Sequence, residues 1–501
     1  MARTRSNKDR RRRRACGEDR LSALPDDLLH LILRRLDTRD ALATAALSRR
    51  WAAVPRELPA LDFRVTDLLP PRYRRCLAIR GKARRLDAAT GRYERRAMRA
   101  MAGSVRALLA ARRRATRLSL EVFDFDASPC INQLVVTAVD SWGVTDLEVS
   151  AVPTGPIMHP PPVYSFPLRR ISRDPGASRL RRLKLRNCLP PPLQGFGSLA
   201  TLVLQGLPCS TRPAVYRVVA ACPQLQSLHL SSCRSRKFGC PLTLDAPMSR
   251  IRELVVDGGY MAVEIRSLPM LESLASNGDA VFLTHPDAAP YLQRVSLEHA
   301  IGSLQGDELF PAIERRRLRF LIPSIREFLQ NANGITDLVL RFTGPYMWIL
   351  FLPTSPFAPM PKLRRLLVAD VPPSWDASWP RLLVEATPLL ETLHRRGGGA
   401  AGPWPNSASR HRHLKELVVM GFRSAERRHV QLVRFAMEAS TSALRRVALY
   451  KRGHVEHKGP GAWEAAAARD DAWSDEERRG VLEQITEGMC CSTGQVQVIL
   501  G

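Results

Sequence analysis

The sequence predicts an α/β protein in which a short bundle of three N-terminal helices is followed by a solenoid of repeats, with a curved, mainly parallel sheet and helices on its outer side. Three observations predict this fold class. A stripe of apolar residues near the N-terminus has the helical period, a short apolar pattern returns along the rest of the chain, and in its most regular part the copies lie 19 to 26 residues apart.

Composition limits the environment in which the protein is expected to work. The 501 residues are 45% hydrophobic, which is enough to bury a large core. No run approaches the roughly 18 to 20 consecutive apolar residues of a membrane helix, and the N-terminus lacks the apolar stretch of a signal peptide. We therefore expect no membrane partner and a location in the nucleus, the cytoplasm or both.

The formal net charge of +28 is the strongest bias in the composition. A basic chain ordinarily indicates an acidic partner. However, only eight of the 76 basic residues are lysines, and GC-biased coding produces a chain rich in arginine, alanine and proline without selection for charge. We do not expect nucleic acid as the main partner, and nucleic-acid binding through residues 72–117 is kept as an alternative.

Residues 1–18 are predicted to be a disordered basic tail, because a run of like charges without apolar neighbours cannot be packed. Arg10 to Arg14, with Lys8, fit a nuclear import signal and a solubilising tail equally well.

The first helix is predicted to open at Leu24-Pro25-Asp26-Asp27. Proline suits the first position of a helix, and the two carboxylates favour the positive end of its dipole. The apolar residues that follow form one stripe of a 3.6-residue period: Leu28, Leu29, Ile32, Leu33 and Leu36.

Two further short helices are predicted before residue 60. The second carries Ala41, Leu42, Ala45 and Ala46 inward, and Ser48 can cap a third that holds Trp51 and Val54. Three helices within about 40 residues bury too little apolar surface to be stable alone, so part of the stripe is expected to meet a partner. The pattern therefore indicates a binding module.

The order Leu-Pro-x-x-Leu-Leu-x-x-Ile-Leu-x-x-Leu, a polar turn and Leu-Ser-Arg-Arg-Trp, at Leu24 to Trp51, closely resembles the F-box. The resemblance covers residues 19–60. It implies that this region binds the small Skp-type adaptor, and through it the cullin, of a cullin-RING ubiquitin ligase. Catalysis would then belong to other subunits.

The resemblance also implies which residues contact the adaptor, although part of the set must form the module's own core. The set is Leu24, Pro25, Leu28, Ile32, Leu36, Leu47 and Trp51. The alanine-rich second helix departs from the commonest form of the motif. This departure leaves open a scaffold that binds proteins but no longer engages a ligase.

Residues 61–115 are predicted to be a basic helical linker. Apolar residues return at helical spacing in its second half, at Met98, Met101, Val105, Leu108 and Leu109. Such a helix is expected to pack on the first repeat.

Residues 116–408 carry the repeated pattern apolar-x-x-apolar-x-apolar. Its middle apolar position falls at Leu183, Leu202, Leu228, Leu254, Leu274, Val295, Leu338, Leu366 and Leu393, and two copies beyond residue 408 place it at Leu417 and Val447. The spacing between residues 183 and 295 is typical of leucine-rich repeats. Stacked repeats generate a strand face that binds partners, here an unknown target protein.

Details of single copies support strands in this register. Alternation places Leu228 and Leu230 inward, with Ser227 and His229 on the opposite face. Cys188 lies three residues past the last leucine of its strand, so its thiol is predicted to be structural. The ten cysteines include no C-x-x-C pair and are expected to be reduced. Between residues 297 and 338 the spacing breaks, which indicates an insertion or an unrecognised repeat near Leu318.

Residues 409–452 are predicted to form a strand, a helix and a second strand. The helix carries an apolar stripe at Val430, Leu432, Val433, Ala436 and Met437. This unit resembles the FBD region at the C-terminus of many plant F-box proteins with leucine-rich repeats. In residues 453–501 we predict a loop to residue 471, a helix through Ile485 opened by a Ser474/Glu477 capping box, and a closing strand at 496–500.

The sequence offers no catalytic constellation. It contains none of the motifs G-x-x-x-x-G-K-[ST], G-x-S-x-G or H-E-x-x-H. Asp124-Phe125-Asp126 fits a half-exposed strand better than a metal site, Gly397 to Gly399 fits a flexible loop, and His411 and His413 fit exposed loop positions. No catalytic residue, cofactor or metal is therefore expected, and the chain is predicted to be a non-catalytic substrate-recognition subunit.

Overall fold

A computed structural model of the protein describes the following residues: 24–36, 38–48, 50–51, 54, 58–79, 85–111, 115–123, 129–152, 171–207, 215, 219–222, 224–232, 242–257, 262–278, 280–300, 328–343, 359–370, 384, 386–396, 411–440, 443–459, 462–467, 473–487 and 496–501. The basic tail, Asp124 to Asp126, Gly397 to Gly399, Cys233 and Leu318 lie outside these residues. The chain divides into two compact units, Met1–Leu183 and Lys184–Gly501. Each unit is described by itself.

The first unit opens with the predicted helical module. Helix α1 spans Asp26–Leu33 and α2 spans Thr38–Ala43, and a single 3-10 turn follows at Thr44–Ala46. Pro25 precedes α1 as its N-cap instead of occupying its first position. A third helical segment contains Trp51, whose backbone N–H lies 3.3 Å from the Ser48 hydroxyl that was predicted to cap it.

The prediction for the second helix was wrong in part. Ala41 is fully buried, but Leu42 and Ala45 are half-buried and Ala46 is exposed. Since α2 ends at Ala43, the last two alanines lie on the short 3-10 turn and do not share the buried side of α2.

The remainder of the first unit is a parallel sheet with helices. Strands β1 (Ala60–Arg64), β2 (Arg117–Phe123) and β3 (Asp146–Val152) pair in that order, while the helices are α3 (Pro71–Ile79), α4 (Arg85–Ala111) and α5 (Pro129–Asp140). Leu61, Leu118 and Leu147 share one register and are buried. Strand β1 and helix α5 are not predicted from the sequence pattern.

Helix α4 confirms the predicted apolar spacing. Met98, Met101, Val105 and Leu108 are buried and Leu109 is half-buried. The Tyr73 hydroxyl of α3 donates a hydrogen bond of 2.7 Å to the buried Glu94 carboxylate of α4. This bond satisfies the polar atoms that the two helices bury between them.

The strands of the repeats follow one another along the second unit. They are β4 (Arg182–Arg186, which begins at the end of the first unit), β5 (Thr201–Gln205), β6 (Ser227–Ser231), β8 (Glu253–Asp257), β10 (Ser273–Asn277), β12 (Arg294–Ala300), β13 (Asp337–Thr343), β14 (Arg365–Ala369), β15 (Thr392–Arg396), β16 (Glu416–Met420), β17 (Arg446–Tyr450) and β20 (Gln497–Leu500). From β5 onward they pair in parallel in this order.

The predicted register is confirmed along this sheet. Leu202 pairs with Leu228, Leu228 with Leu254, and so on to Val447. Strand β12 pairs directly with β13, and the break in spacing between them falls on residues outside the described part of the chain. The α/β class and the mainly parallel sheet are thus confirmed.

One turn type recurs where the repeat strands end. The residue directly after the strand has a positive φ at six of these ends: Asn187, Gly206, Ser232, Gly278, Asp370 and Gly421. At Asn187, Gly206, Ser232 and Gly421 the backbone N–H donates to the carbonyl of the last residue of the next strand, as from Gly206 to Ser231 at 2.8 Å, and Gly278 donates to Glu298 within β12. Glycine and asparagine tolerate this left-handed conformation best.

The outer side of three neighbouring repeats differs from the prediction. Short strands β7 (Leu242–Asp245), β9 (Ala262–Ser267) and β11 (Ala280–Leu283) form a separate parallel sheet in the order β11-β9-β7. On the outer side of these three repeats, strands therefore occupy the positions where helices were expected. Helical residues do occur before Pro223, at Val215 and 219–221, as expected of the outer side of a repeat.

The C-terminal elements follow the predicted order with one correction. Helix α6 spans Arg427–Ala439 between β16 and β17, and α7 spans Asp475–Thr486 with the predicted Ser474/Glu477 capping box. Strand β20 pairs with β17, as expected of a closing strand. The predicted loop before α7 is wrong, because Gly453–Gly459 (β18) and Ala462–Ala467 (β19) form an antiparallel hairpin.

Candidate binding site

The helical module of the first unit separates the predicted stripe into a core and a surface. Its core contains Leu29, Leu33, Ala41, Trp51, Val54 and Leu58, all less than 5% exposed. Truncating one such buried leucine to alanine ordinarily costs about 2–5 kcal/mol. The core therefore fixes how the helices pack, and leaves the remaining apolar residues on the outside.

Five large apolar side chains remain on the surface of this module. The exposed fractions are 45% for Leu28, 54% for Leu31, 37% for Ile32, 43% for Leu36 and 68% for Leu47. We call these five residues the apolar patch. Elsewhere in the described part of the chain, large exposed apolar residues occur singly, so this group within 20 residues is typical of a protein-binding surface.

The predicted contact residues divide between the two groups. Leu28, Ile32, Leu36 and Leu47 belong to the patch, Pro25 is exposed, and Leu24 is half-buried against the core. Trp51 is only 4% exposed and belongs to the core. Leu31 is not among the predicted contact residues, although its position three residues after Leu28 places it on the same side of a helix.

Polar contacts hold the helices that carry the patch. Arg50 donates to the Asp26 carboxylate at the start of α1 from Nε and Nη2, at 2.9 and 2.7 Å. The backbone N–H of Asp62 in β1 donates to the Thr38 hydroxyl of α2 at 2.7 Å. The first contact joins the two ends of the module to each other and the second joins α2 to β1, so the patch lies on a defined surface.

The strand face opposite the core changes character along the second unit. His229, Val255, Ala275 and Ser296 lie side by side on successive strands of the sheet. All four are half-buried, which leaves this part of the face accessible. Farther along, the same face is apolar and buried, with Val339, Leu367, Ala369, Val418, Met420 and Ala448 in one cluster. The accessible face thus lies on β6 to β12.

A group of buried polar residues lies near the end of the repeats. Arg395 of β15 is 3% exposed and occupies a position whose partners in register are Val368 and Val419. Burial lowers the pKa of this guanidinium, and the negative charge of Glu426 opposes that effect. His429, at 1% exposure, accepts a hydrogen bond at Nδ1 from the Arg423 backbone N–H at 3.1 Å.

The two histidines that were predicted to be exposed, His411 and His413, differ in burial. His413 is exposed as expected, but His411 is only 4% exposed, and its backbone N–H donates to the Ala439 carbonyl at 2.9 Å. The exposed-loop prediction for His411 is therefore wrong, because the chain before β16 packs against the end of α6.

The described residues offer no metal site, since no three His, Cys, Asp or Glu side chains among them come together. Cys188 is fully buried and donates from Sγ to the Arg186 carbonyl at 3.1 Å, as a structural thiol should. Burial raises the pKa of Cys222 to about 11, which keeps its thiol protonated. None of the described helices is long and apolar enough to cross a membrane.

A helical module with a closed core and an exposed apolar patch, followed by parallel repeat strands, defines a class of protein-binding proteins. Comparison with known families makes this more specific. Residues 21–59 match the family model for the F-box domain. The chain therefore carries an F-box domain at its N-terminus, and F-box proteins are generally adaptor subunits of ubiquitin ligases.

Comparison with curated proteins gives the same result over the same region. An F-box/FBD/LRR-repeat protein of Arabidopsis thaliana is 47% identical over 51 residues, which are 10% of this chain and 12% of that protein. A second protein of that name from the same plant is 48% identical over 50 residues, 10% of this chain and 11% of its own. The chain matches only about a tenth of the length of its curated relatives.

Proposed function

We propose that this protein is the substrate-recognition subunit of a cullin-RING ubiquitin ligase of the SCF type, acting in the nucleus, the cytoplasm or both. Its F-box docks a Skp-type adaptor through the apolar patch, and its repeat strands bind the target protein. The observation that carries the proposal is the patch itself. Five large apolar side chains lie exposed on a module whose core is already complete without them.

The repeats support the second half of the proposal. Half-buried side chains on β6 to β12, among them His229 and Ser296, form a face that a partner can reach. Such a face suits recognition of a protein surface. The FBD resemblance of residues 409–452 remains a prediction, because the matched relatives align with the F-box alone.

Capture of a purified plant Skp-type adaptor by the full-length protein tests the docking step. The variant Leu28→Ala with Ile32→Ala and Leu47→Ala removes apolar area from the patch and leaves the core intact. Because a few central apolar residues usually carry an interface, we expect this variant to lose about 2 kcal/mol or more of binding free energy. The dissociation constant, measured by calorimetry, should rise at least about thirtyfold.

A matched control keeps this experiment interpretable. Met248→Ala with Leu482→Ala removes exposed apolar side chains outside the F-box, where they are 84% and 38% exposed, and it should capture the adaptor like the unchanged protein. Circular dichroism checks that both variants fold. If the patch variant binds the adaptor as tightly as the control, docking through this surface is wrong.

The alternative is an interaction scaffold whose F-box has lost its adaptor. It is favoured by one observation, the small side chains of Ala43 and Ala46 that are exposed beside Leu47. They reduce the apolar area available to a partner. The same measurement separates the two functions, since a scaffold would retain target binding while the unchanged protein failed to capture the adaptor.

A further inference from the structure

Helix α4 carries a narrow row of arginines on its solvent side. Arg92, Arg95, Arg96, Arg99 and Arg106 are all exposed, and their spacing of three, four and seven residues places them within about 100° of one another around the helix. Over the fourteen residues from first to last the row is about 21 Å long at 1.5 Å per residue. We call these five residues the basic stripe.

The stripe lacks the counter-charges that accompany several arginines on the strands of this protein. On the strands, Arg252 lies 3.1 Å from Glu272, Arg364 2.9 Å from Glu391, and Arg446 3.0 Å from Glu416. By contrast, among the residues that the structure describes, no carboxylate lies within ion-pair distance of a stripe arginine. Coding bias adds arginines throughout the chain, and Arg412 and Arg478 also lack an ion pair among the described residues, but the stripe places five such arginines on one side of a single helix.

The acidic residue closest to the stripe in sequence points away from it. Glu94 is 2% exposed and accepts the hydrogen bond from Tyr73 described above. The neighbouring helix α3 adds three more exposed arginines, Arg72, Arg74 and Arg75, and no acidic residue. Like charges three and four residues apart repel each other along a helix. A bound anion would reduce this repulsion and so stabilise α4.

The small residues beside the arginines indicate the kind of anion. Ala100, Gly103 and Ala107 are exposed beside the stripe on α4, and a Cβ added at Gly103 would meet nothing within 4 Å. A protein interface usually has apolar or aromatic residues at its centre, and none of the exposed positions of this stripe supplies one. A membrane-surface helix also needs apolar residues that can enter lipid, whereas Met98, Met101 and Val105 are buried within the protein.

From these observations we infer that the basic stripe of α4 binds double-stranded nucleic acid through its phosphates, independently of sequence. Guanidinium groups bind phosphate in a bidentate manner, and small intervening residues allow a rigid duplex to approach the helix closely. The stripe carries no side chains suited to reading base edges, which leaves phosphate contacts as the source of affinity. This activity is separate from adaptor docking by the apolar patch.

The test is a salt titration of binding by the full-length protein. The probes are a DNA duplex of arbitrary sequence, about 20 base pairs or two helical turns long, and the RNA duplex of the same sequence. Both are longer than the stripe, and affinity is followed by fluorescence anisotropy. The stripe variant carries Arg92→Gln, Arg95→Gln, Arg96→Gln and Arg99→Gln. The control variant carries Arg412→Gln, Arg427→Gln, Arg478→Gln and Arg479→Gln, which removes the same charge from other exposed positions.

Counterion release sets the expected result. The stripe variant should bind about tenfold or more weakly near 0.15 M salt, and the slope of log affinity against log salt should be shallower by about 3 to 4, since each lost phosphate contact contributes about 0.9. The control variant should stay within about twofold of the unchanged protein, because its arginines lie outside the stripe. Whichever duplex binds more tightly identifies the nucleic acid.

Several outcomes would overturn the inference. Equal losses in the stripe and control variants would show attraction by net charge alone. Failure of the unchanged protein to bind either duplex near 0.15 M salt, or displacement of a bound duplex by an equal charge of polyglutamate, would exclude a nucleic-acid site. If the glutamine variant fails to fold, the four Arg→Lys replacements retain the charge, and they should retain the salt slope.

Discussion

Nε and Nη2 of Arg50 donate to a single carboxylate oxygen of Asp26, and the same guanidinium donates to the Leu24 carbonyl. The pair connects the helical segment of Trp51 to the first turn of α1, more than twenty residues earlier. Its side chains are 39% and 62% exposed, so solvent screens their attraction. The contact positions the start of α1 more than it stabilises the module.

We therefore predict a small coupling between these two residues. In a double-mutant cycle of Asp26→Asn and Arg50→Gln, the coupling free energy should be about 0.2–1 kcal/mol. Hydrogen exchange of the α1 amides is the suitable measurement, because a chain of two units need not unfold in one step. A coupling of about 2 kcal/mol or more would contradict the screening argument and make the pair a main support of the F-box.

The second prediction concerns acidification of the last repeats. Burial lowers the pKa of His394 and of His429, and the nearby positive charge of Arg395 lowers the pKa of His429 further. Since Nδ1 of His429 accepts a hydrogen bond, its neutral form carries the proton on Nε2, 3.4 Å from a Glu426 carboxylate oxygen. Glu426 therefore offsets only part of the effect of burial.

The sign follows from comparing folded and unfolded states. Both histidines have folded-state pKa values below the ordinary value of about 6.5, so the unfolded chain takes up protons first as the pH falls. Stability is complete above about pH 6.5 and is lost as the pH decreases below it. Denaturant midpoints measured at pH 7.5 and 5.5 should show this loss, and His394→Gln with His429→Gln should reduce it. An equal reduction by the exposed His413→Gln control would refute the assignment.

The third prediction concerns the left-handed turn after β5. Gly206 has a φ of +71°, and an added Cβ would lie 2.0 Å from the Asn187 side-chain oxygen. Gly206→Ala should therefore destabilise the second unit by at least the roughly 1–2 kcal/mol of a strained left-handed residue. Gly197→Ala is the matched control, because nothing lies within 4 Å of its added Cβ. Thermal unfolding should show a lower transition only for the first variant.

The periodic features of this fold could be predicted from sequence, because period and spacing depend on the residues themselves. The register of Leu202, Leu228 and Leu254 is an example, and it extends even to the weak copy at Leu274. The capping box at Ser474 is another, since both of its hydrogen bonds are local. The apolar residues of α1, spaced at the helical period, likewise predicted a partner-binding surface.

Other features depend on tertiary packing and could not be predicted. Leu29 and Ile32 look equivalent in the sequence, and only the packing of Trp51 against α1 decides which is core and which is patch. The hairpin β18-β19 lacked a recognisable pattern, because it contains several alanines with little preference for strands. The basic stripe was visible as arginine content, but its lack of carboxylate partners required the structure.

The hydrogen bond from a left-handed residue to the next strand, which Asn187, Gly206, Ser232, Gly278 and Gly421 donate, has a consequence for evolution. It sets the strand register at the exit of a repeat, before the intervening chain begins. The intervening segments can thus differ in length, since the 26-residue step from Leu202 to Leu228 and the 30-residue step from Leu417 to Val447 both keep their residues paired. Loops of this family of repeats are free to change length and sequence, so new target specificities can arise without redesign of the scaffold that presents them.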